Sequence, residues 1–108
     1  MEIVIQKFGG TSVKDVAARK QALVHVKYAV DHGKKVVVLV SAFREPGASY
    51  TTDGLLNLVH NNQSRLSKRE LDMLVSVGEI VSATVFTEQA REAGLDATAL
   101  TGSEAGIV

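Results

Sequence analysis

The chain has 108 residues, of which 45% are hydrophobic, a length that suits one small domain. Twelve Lys and Arg residues balance twelve Asp and Glu residues, which argues against a nucleic-acid binder that depends on a basic surface. There is no cysteine, so disulfides, thiolate metal sites and cysteine nucleophiles are excluded. The longest aliphatic run, residues 36–40, is too short to span a bilayer, and the N-terminus lacks a secretory-signal pattern. We therefore expect a soluble cytoplasmic protein that binds neither membrane nor nucleic acid.

The first half of the sequence predicts a βαβ unit. Residues 2–8 and 35–41 are short, β-branched and apolar, as expected of parallel strands covered by helices on both faces. Residues 12–32 between them are predicted to be helical, and Ser12 with Asp15 resembles a capping box at the start. The predicted apolar stripe of this helix comprises Val16, Leu23, Val26 and Val30.

The second half predicts two further helices. Residues 43–51 contain the only proline and are predicted to form a long loop. A short helix then starts at Thr52 or Asp53 and ends near His60. A capping box at residues 67–70 opens a longer helix. The apolar face of that helix comprises Leu71, Leu74, Val75, Gly78, Val81 and Val85.

The end of the chain predicts a third strand. Gly94 is expected to end the long helix, residues 97–100 to form a weaker strand, and residues 101–103 to form a turn. Three parallel strands and three helices would leave a sheet edge and some apolar helix surface uncovered. The sequence therefore indicates either a piece of a larger domain or a chain that pairs with another surface.

The segment most informative about function joins the first strand to the first helix and reads Lys-Phe-Gly-Gly-Thr-Ser at residues 7–12. Ligands of open parallel sheets bind beyond the carboxyl ends of the strands. Gly9 and Gly10 permit close backbone approach and positive φ, the loop amides and helix N-terminus can face an anion, and Lys7 supplies a cation. The loop matches neither the Walker A motif nor the dinucleotide fingerprint. From these residues alone, a phosphate cradle and an ordinary strand-to-helix turn remain equally open.

Four other polar positions allow both functional and structural interpretations. Ser41 can bind a phosphate or cap the end of its strand. Thr52 and Asp53 can accept a substrate carboxylate at a helix start or serve as an ordinary N-cap. Glu79 lies beside the apolar stripe of the long helix, so its carboxylate needs a partner, either a lysine of the protein or the ammonium group of a ligand. The three histidines lack metal-ligand spacing, so no metal site is predicted.

Five segments, in chain order, resemble the aspartokinases, members of the amino-acid kinase superfamily. They are residues 7–13 (KFGGTSV), 40–42 (VSA), 52–53 (TD), 74–79 (LVSVGE) and 101–106 (TGSEAG). The resemblance implies an α/β fold, a three-layer αβα arrangement with a mainly parallel sheet. Residues 1–108 would form the N-terminal part of the kinase domain, without the C-terminal kinase half and the ACT domains. The loop at residues 43–51 resembles the longer loop of some Bacillus-type monofunctional enzymes.

The resemblance also implies a reaction: ATP and Mg²⁺ support phosphorylation of the side-chain carboxylate of L-aspartate, the first step of lysine, threonine, methionine and diaminopimelate synthesis. The implied catalytic residue is Lys7. The implied ATP-binding residues are Lys7, Phe8, Gly9, Gly10, Thr11, Ser12 and Ser41. The implied aspartate-binding residues are Thr52, Asp53 and Glu79, with Thr52 on the α-carboxylate and Glu79 on the ammonium group.

The expected partners are therefore ATP and L-aspartate, and the full-length protein is expected to be a homo-oligomer. The 108 residues alone are expected to be inactive. Three alternatives stay open: a stand-alone phosphate- or nucleotide-binding module without catalysis, another amino-acid kinase such as acetylglutamate kinase, and an assembly role through the uncovered sheet edge.

Overall fold

A computed structural model describes residues 2–44 and 50–106 of the chain. Its elements are strand β1 (Ile3–Phe8), helix α1 (Val16–Asp31), strand β2 (Lys35–Val40), helix α2 (Thr52–Asn57), a 3₁₀ helix (Asn61–Gln63) and helix α3 (Lys68–Glu92). β1 and β2 are parallel neighbours, which confirms the predicted βαβ unit. The centre of the predicted proline loop, residues 45–49, lies outside the described residues.

The two strands bury only one face of their sheet. Along both strands every second residue is exposed, in contrast to the prediction of helices on both faces. Ile3 and Ile5 are each 66% exposed, and Val37 and Leu39 are 47% and 44% exposed. Within the described residues, α1 and α3 both cover the opposite face, so this apolar surface has no helical layer over it.

The hydrophobic core lies between the covered sheet face and the two long helices. Phe8, at the end of β1, stacks on Phe86 of α3 with ring centroids 6.0 Å apart. On the same sheet face, the side-chain amide of Gln6 donates to the His25 carbonyl of α1 at 3.3 Å. The buried core cluster comprises Val13, Ala22, Leu23, Val26, Phe43, Phe86 and Ala90.

The apolar stripe of α1 is only partly the predicted one. Leu23 and Val26 are buried as expected, but Val16 is 53% exposed and Val30 is 40% exposed. The inward positions are again three and four residues apart, but the face that they form is rotated away from Val16 and Val30 towards Ala22 and Ala29. They are Arg19, Ala22, Leu23, Val26 and Ala29. A charged side chain therefore occupies a core-facing position of this helix.

Helix α1 begins at Val16, four residues later than predicted. Asp15 has an extended backbone, and its carboxylate accepts the Ala18 amide at 2.8 Å, so Asp15 is the N-cap. The Ser12 amide instead donates to the Gly9 carbonyl at 3.0 Å, which closes a separate turn. The predicted capping box of Ser12 with Asp15 is wrong because an aspartate that is free to reach the third helical amide is itself a preferred cap.

Helix α3 has the predicted capping box. The Ser67 hydroxyl accepts the Glu70 amide at 3.2 Å, and the Glu70 carboxylate accepts the Ser67 amide at 2.9 Å. The helix ends at Glu92, and Gly94 follows with a φ of 88°, the left-handed geometry that favours glycine after a helix. The predicted strand at residues 97–100 is not a strand here, because no neighbouring strand among the described residues pairs with it. The turn predicted after it is present.

The capping box makes a prediction about pH. Hydrogen bonds from the backbone and hydroxyl of Ser67 lower the pKa of Glu70 below its usual value. The folded protein therefore holds this proton less tightly than the unfolded chain. The resulting stabilisation is present above the ordinary glutamate pKa and is lost as the pH falls through the folded-state pKa.

We expect Glu70→Gln to remove part of the acid-induced loss of stability between about pH 6 and pH 3, because the amide does not titrate there. Urea unfolding followed by circular dichroism at a series of pH values measures this. The control is Glu88→Gln, an exposed glutamate later in α3. Parallel pH profiles for Glu70→Gln and the unsubstituted protein would contradict the expectation.

Candidate functional site

The loop after β1 presents unpaired donors at the carboxyl end of that strand. Gly9 and Thr11 are exposed, and the amides of Gly10 and Thr11 meet no hydrogen-bond acceptor within the described residues. Lys7 is also exposed and forms no ion pair with any described residue. The Ser12 amide is engaged in the turn to Gly9, so only its exposed hydroxyl can meet a ligand. The arrangement offers one ammonium group, two amides and two hydroxyls to an anion.

The two glycines of this loop serve different purposes. Neither has a positive φ, so the conformational freedom of glycine is not what this loop uses. A Cβ on Gly10 would lie 2.6 Å from the Ala42 carbonyl oxygen and 3.1 Å from Arg44 Cβ, whereas a Cβ on Gly9 would meet no atom within 4 Å. Gly10 is therefore required by close packing against the segment after β2, while Gly9 leaves open space beside the loop.

The segment after β2 runs alongside this first loop. The Ser41 amide donates to the Phe8 carbonyl at 3.1 Å, and the Arg44 amide donates to the Gly10 carbonyl at 3.3 Å. These two bonds continue the contact of the parallel strands beyond their ends. Ser41 therefore lies beside the start of the glycine loop.

The start of α2 is capped by a residue that the sequence analysis missed. Thr51 is the N-cap, and its hydroxyl accepts the Gly54 amide at 3.0 Å. Thr52 and Asp53 form the exposed first turn, so the predicted cap position was one residue too late. Because Thr51 takes the structural role, the Thr52 hydroxyl is not used as the helix cap.

Helix α3 packs at Gly78 against the segment after β2 and against α2. A Cβ on Gly78 would lie 2.8 Å from the Tyr50 carbonyl oxygen, 3.1 Å from Ala42 Cβ and 3.3 Å from Leu55 Cδ1. Ala42 therefore lies between two glycines, Gly10 of the first loop and Gly78 of α3. This packing brings the loop after β1, the segment after β2, α2 and α3 together on one side of the molecule.

Glu79 follows this contact directly and is exposed. Of the two partners that the sequence left open, the ammonium group of a ligand remains a prediction, whereas a lysine of the protein is not found, since no described residue forms an ion pair with Glu79. Its position results from Gly78, whose missing side chain lets α3 sit against the Tyr50 carbonyl. The Glu79 side chain is exposed, one residue after the contact of Gly78 with Tyr50 and Leu55.

The crowding at Gly78 predicts the sign of a stability change. In an open helix position, replacing glycine by alanine stabilises a protein by about 1 kcal/mol. Here we expect Gly78→Ala to lower the free energy of unfolding by about 1–3 kcal/mol, because the new methyl group must displace backbone atoms of Tyr50. Urea unfolding measures the change, and a stabilised variant would contradict the contact.

Comparison with known proteins identifies the family of this chain. A model of the Amino acid kinase family matches residues 2–107. The chain belongs to this family.

Relatives of this amino acid kinase chain are named aspartokinases. It is 52% identical over 108 residues to Aspartokinase 1 of Bacillus subtilis (strain 168), covering 100% of this chain and 27% of that protein. It is 43% identical over 107 residues to the aspartokinase of Geobacillus stearothermophilus, covering 99% of this chain and 25% of that protein. The crystal structure of aspartate kinase from Synechocystis matches with a TM-score of 0.76 at 34% identity, over 89% of this chain and 16% of that one. The chain thus spans about a quarter of the length of these curated relatives.

The family and the α/β fold implied by the five sequence segments are therefore confirmed, while the roles of individual residues remain predictions. Within the described residues, no three or more His, Asp or Glu side chains are grouped so as to hold a metal ion. None of the described helices combines the length and apolar character needed to cross a membrane.

Sequence reasoning missed Arg19 and Gln89, which tie α1 to α3 beneath the first loop. The signal for Arg19 was available, since it precedes the core residues Leu23 and Val26 by four and seven positions. An arginine on the apolar stripe of a helix indicates a buried charge with a specific set of partners.

Proposed function

We propose that the complete protein carrying this chain transfers the terminal phosphoryl group of ATP to the side-chain carboxylate of L-aspartate, giving 4-phospho-L-aspartate and ADP. The term complete protein means the full-length polypeptide that contains these 108 residues. The observation that carries the proposal is at the carboxyl end of β1, where the amides of Gly10 and Thr11 meet no acceptor among the described residues and the exposed Lys7 forms no ion pair with any of them. The family membership and the aspartokinase relatives support it.

The nucleotide side of the proposed site consists of the loop after β1 and the start of the segment after β2. The amides of Gly10 and Thr11 and the hydroxyls of Thr11 and Ser12 bind phosphate oxygens. Ser41, held against the Phe8 carbonyl, lies on the same side. Lys7 offsets the negative charge that develops on the transferred group, and such charge stabilisation with alignment accounts for most of the catalysis in phosphoryl transfer.

Mg²⁺ fits this site as a companion of the nucleotide. The donors of the loop are amides, hydroxyls and an ammonium group, which suit phosphate oxygens and not a metal ion, and Mg²⁺ in such enzymes is bound largely through substrate phosphates. When bound with ATP, the ion supplies further neutralisation of phosphate charge. The residues of this chain orient the phosphates and hold the acceptor.

The substrate side consists of the start of α2 and the Gly-Glu pair of α3. We assign the Glu79 carboxylate to the ammonium group of aspartate and the Thr52 hydroxyl to its α-carboxylate, with Asp53 next to Thr52 in the same turn. Both side chains are exposed, and the packing of Gly78 against Tyr50 and Leu55 sets α3 beside α2. The attacking side-chain carboxylate is already ionised at neutral pH, so no general base is required.

We further propose that residues 1–108 are the N-terminal part of the kinase domain and that the remaining domain is needed for activity. The exposed apolar sheet face around Ile5 and Leu39 supports this, because monomeric proteins rarely leave such a surface open. In this proposal the complete protein is a cytoplasmic homo-oligomer that acts at the entry to lysine, threonine, methionine and diaminopimelate synthesis.

The test compares the complete protein with the isolated 108 residues. Hydroxylamine converts an aspartyl phosphate into a hydroxamate, which forms a coloured complex with added Fe³⁺, so the assay reports the product directly. We expect hydroxamate from ATP and L-aspartate with the complete protein and none with the isolated chain. N-acetylglutamate as the preferred acceptor would reassign the substrate. Tight ATP binding by the isolated chain, with no transfer by the complete protein, would favour a binding module.

A further inference from the structure

Arg19 is a buried cation beneath the loop after β1. It is 7% exposed. Its Nη1 donates to the Val13 carbonyl at 2.9 Å, its Nε donates to the Gln89 side-chain oxygen, and its guanidinium carbon lies 4.7 Å from the centre of the Phe43 ring. Within the described residues no carboxylate forms an ion pair with it. Burying a charge is costly unless hydrogen bonds and other contacts satisfy it, so the partners of Arg19 must stay in place around its guanidinium group.

The three contacts of this arginine lead to three different segments. Val13 directly follows the glycine loop on the nucleotide side. Phe43 lies in the segment after β2 and packs edge-on against Tyr50 at 5.7 Å, immediately before the cap of α2 on the substrate side. Gln89 belongs to α3, and its amide also donates to the Val16 carbonyl at 3.2 Å, which joins α3 to the first residue of α1.

We propose that Arg19 is a positioning residue for phosphoryl transfer, holding the nucleotide loop through Val13 and the substrate segment through Phe43 in a fixed relative position. The inference rests on the proposed function and adds a residue that touches neither substrate. The planar guanidinium suits this task, because its edge donates hydrogen bonds in two directions while its face lies on an aromatic ring. Lysine has the charge but not this geometry.

The consequence concerns alignment. Phosphoryl transfer needs the acceptor oxygen and the leaving oxygen in line, and a displacement of about 1 Å can cost about 10²-fold in rate. In the complete protein we expect Arg19→Met to lower kcat about 10- to 100-fold at a temperature well below unfolding. Arg19→Lys should lose less, because it keeps the cation. The matched control is Arg69→Met, an exposed arginine in the first turn of α3, which should leave kcat unchanged.

A double-substitution cycle separates positioning from simple stability. If Arg19 acts through the Phe43 ring, the losses in kcat from Arg19→Lys and Phe43→Leu should be less than additive in the double variant. A purely structural role would lower the unfolding temperature but leave kcat per folded molecule unchanged, and that result would overturn the inference. Should Arg19→Met fail to fold, the Arg19→Lys and Phe43→Leu variants carry the same comparison.

Hydrogen–deuterium exchange gives a readout that does not depend on activity. In the complete protein without substrates, Arg19→Lys should speed amide exchange both at residues 9–13 and at residues 42–44, whereas Arg69→Met should change neither. If Arg19→Lys speeds exchange at both segments but the unsubstituted complete protein makes no aspartyl hydroxamate, the positioning contact is supported and the proposed function is refuted. If exchange at both segments is unchanged in Arg19→Lys and the unsubstituted complete protein does make hydroxamate, only the positioning role of Arg19 is refuted.

Discussion

Replacing Lys7 by methionine is expected to lower kcat of the complete protein about 10²- to 10³-fold, the usual cost of removing one preorganised donor from a developing charge. The structure supplies the reason to expect a loss of rate without a loss of fold. Lys7 is exposed at the carboxyl end of β1, and no ion pair or hydrogen bond of its side chain exists among the described residues. Its ammonium group is therefore available to a ligand.

The matched control for this prediction is Lys35→Met. Lys35 lies on the same exposed sheet face but at the opposite end, where it is paired in register with Ile3, whereas Lys7 is paired with Leu39. Steady-state kinetics in the hydroxamate assay should show a large loss for Lys7→Met and little change for Lys35→Met. Equal losses would indicate a general effect of surface charge. A higher KM for ATP with unchanged kcat would place Lys7 in nucleotide binding and not in transition-state stabilisation.

The parts of the fold that could be predicted from sequence are those set by local patterns. The β-branched runs of β1 and β2 and the capping box at Ser67 depend on nearest neighbours, and the structure confirms all three. The start of α1 was mispredicted because Ser12 and Asp15 are both good caps, and the sequence does not say which one the turn at Gly9 leaves free. The prediction of a strand at residues 97–100 was wrong because a strand forms only when a neighbouring strand pairs with it.

In the candidate site, too, the features set by neighbouring residues could be predicted, and those set by contacts between distant residues could not. The glycine loop was recognisable because a lysine, two glycines and two hydroxyls stand together in the sequence. The contacts that assemble the site join residues far apart in the chain, such as Gly10 with Ala42 and Gly78 with Tyr50, so no local pattern could reveal them. Glu79 directly follows one of these contacts, and its exposure, without an ion pair to any described residue, could not be predicted from the local pattern either.

The adjacent glycines of the first loop provide the second large expected effect. In the complete protein, Gly10→Ala should lower the free energy of unfolding by about 1–3 kcal/mol, because its Cβ would lie 2.6 Å from the Ala42 carbonyl oxygen and force the backbone to move. Gly9→Ala should leave stability unchanged or raise it by up to about 1 kcal/mol, because its Cβ meets no atom within 4 Å and its φ is not positive. Urea unfolding of both variants measures the difference.

Activity measurements on the same pair then distinguish a phosphate cradle from an ordinary turn. If the loop binds phosphate, the open space beside Gly9 is where the nucleotide approaches, so Gly9→Ala should raise the KM for ATP although its fold is intact. An ordinary strand-to-helix turn would tolerate that methyl group, and a fully active Gly9→Ala enzyme would therefore contradict the assignment. Gly10→Ala should lose activity together with stability, since the displaced segment after β2 lies next to Ser41. Substitution of Gly10 therefore tests the packing of this loop, and substitution of Gly9 tests its proposed binding of phosphate.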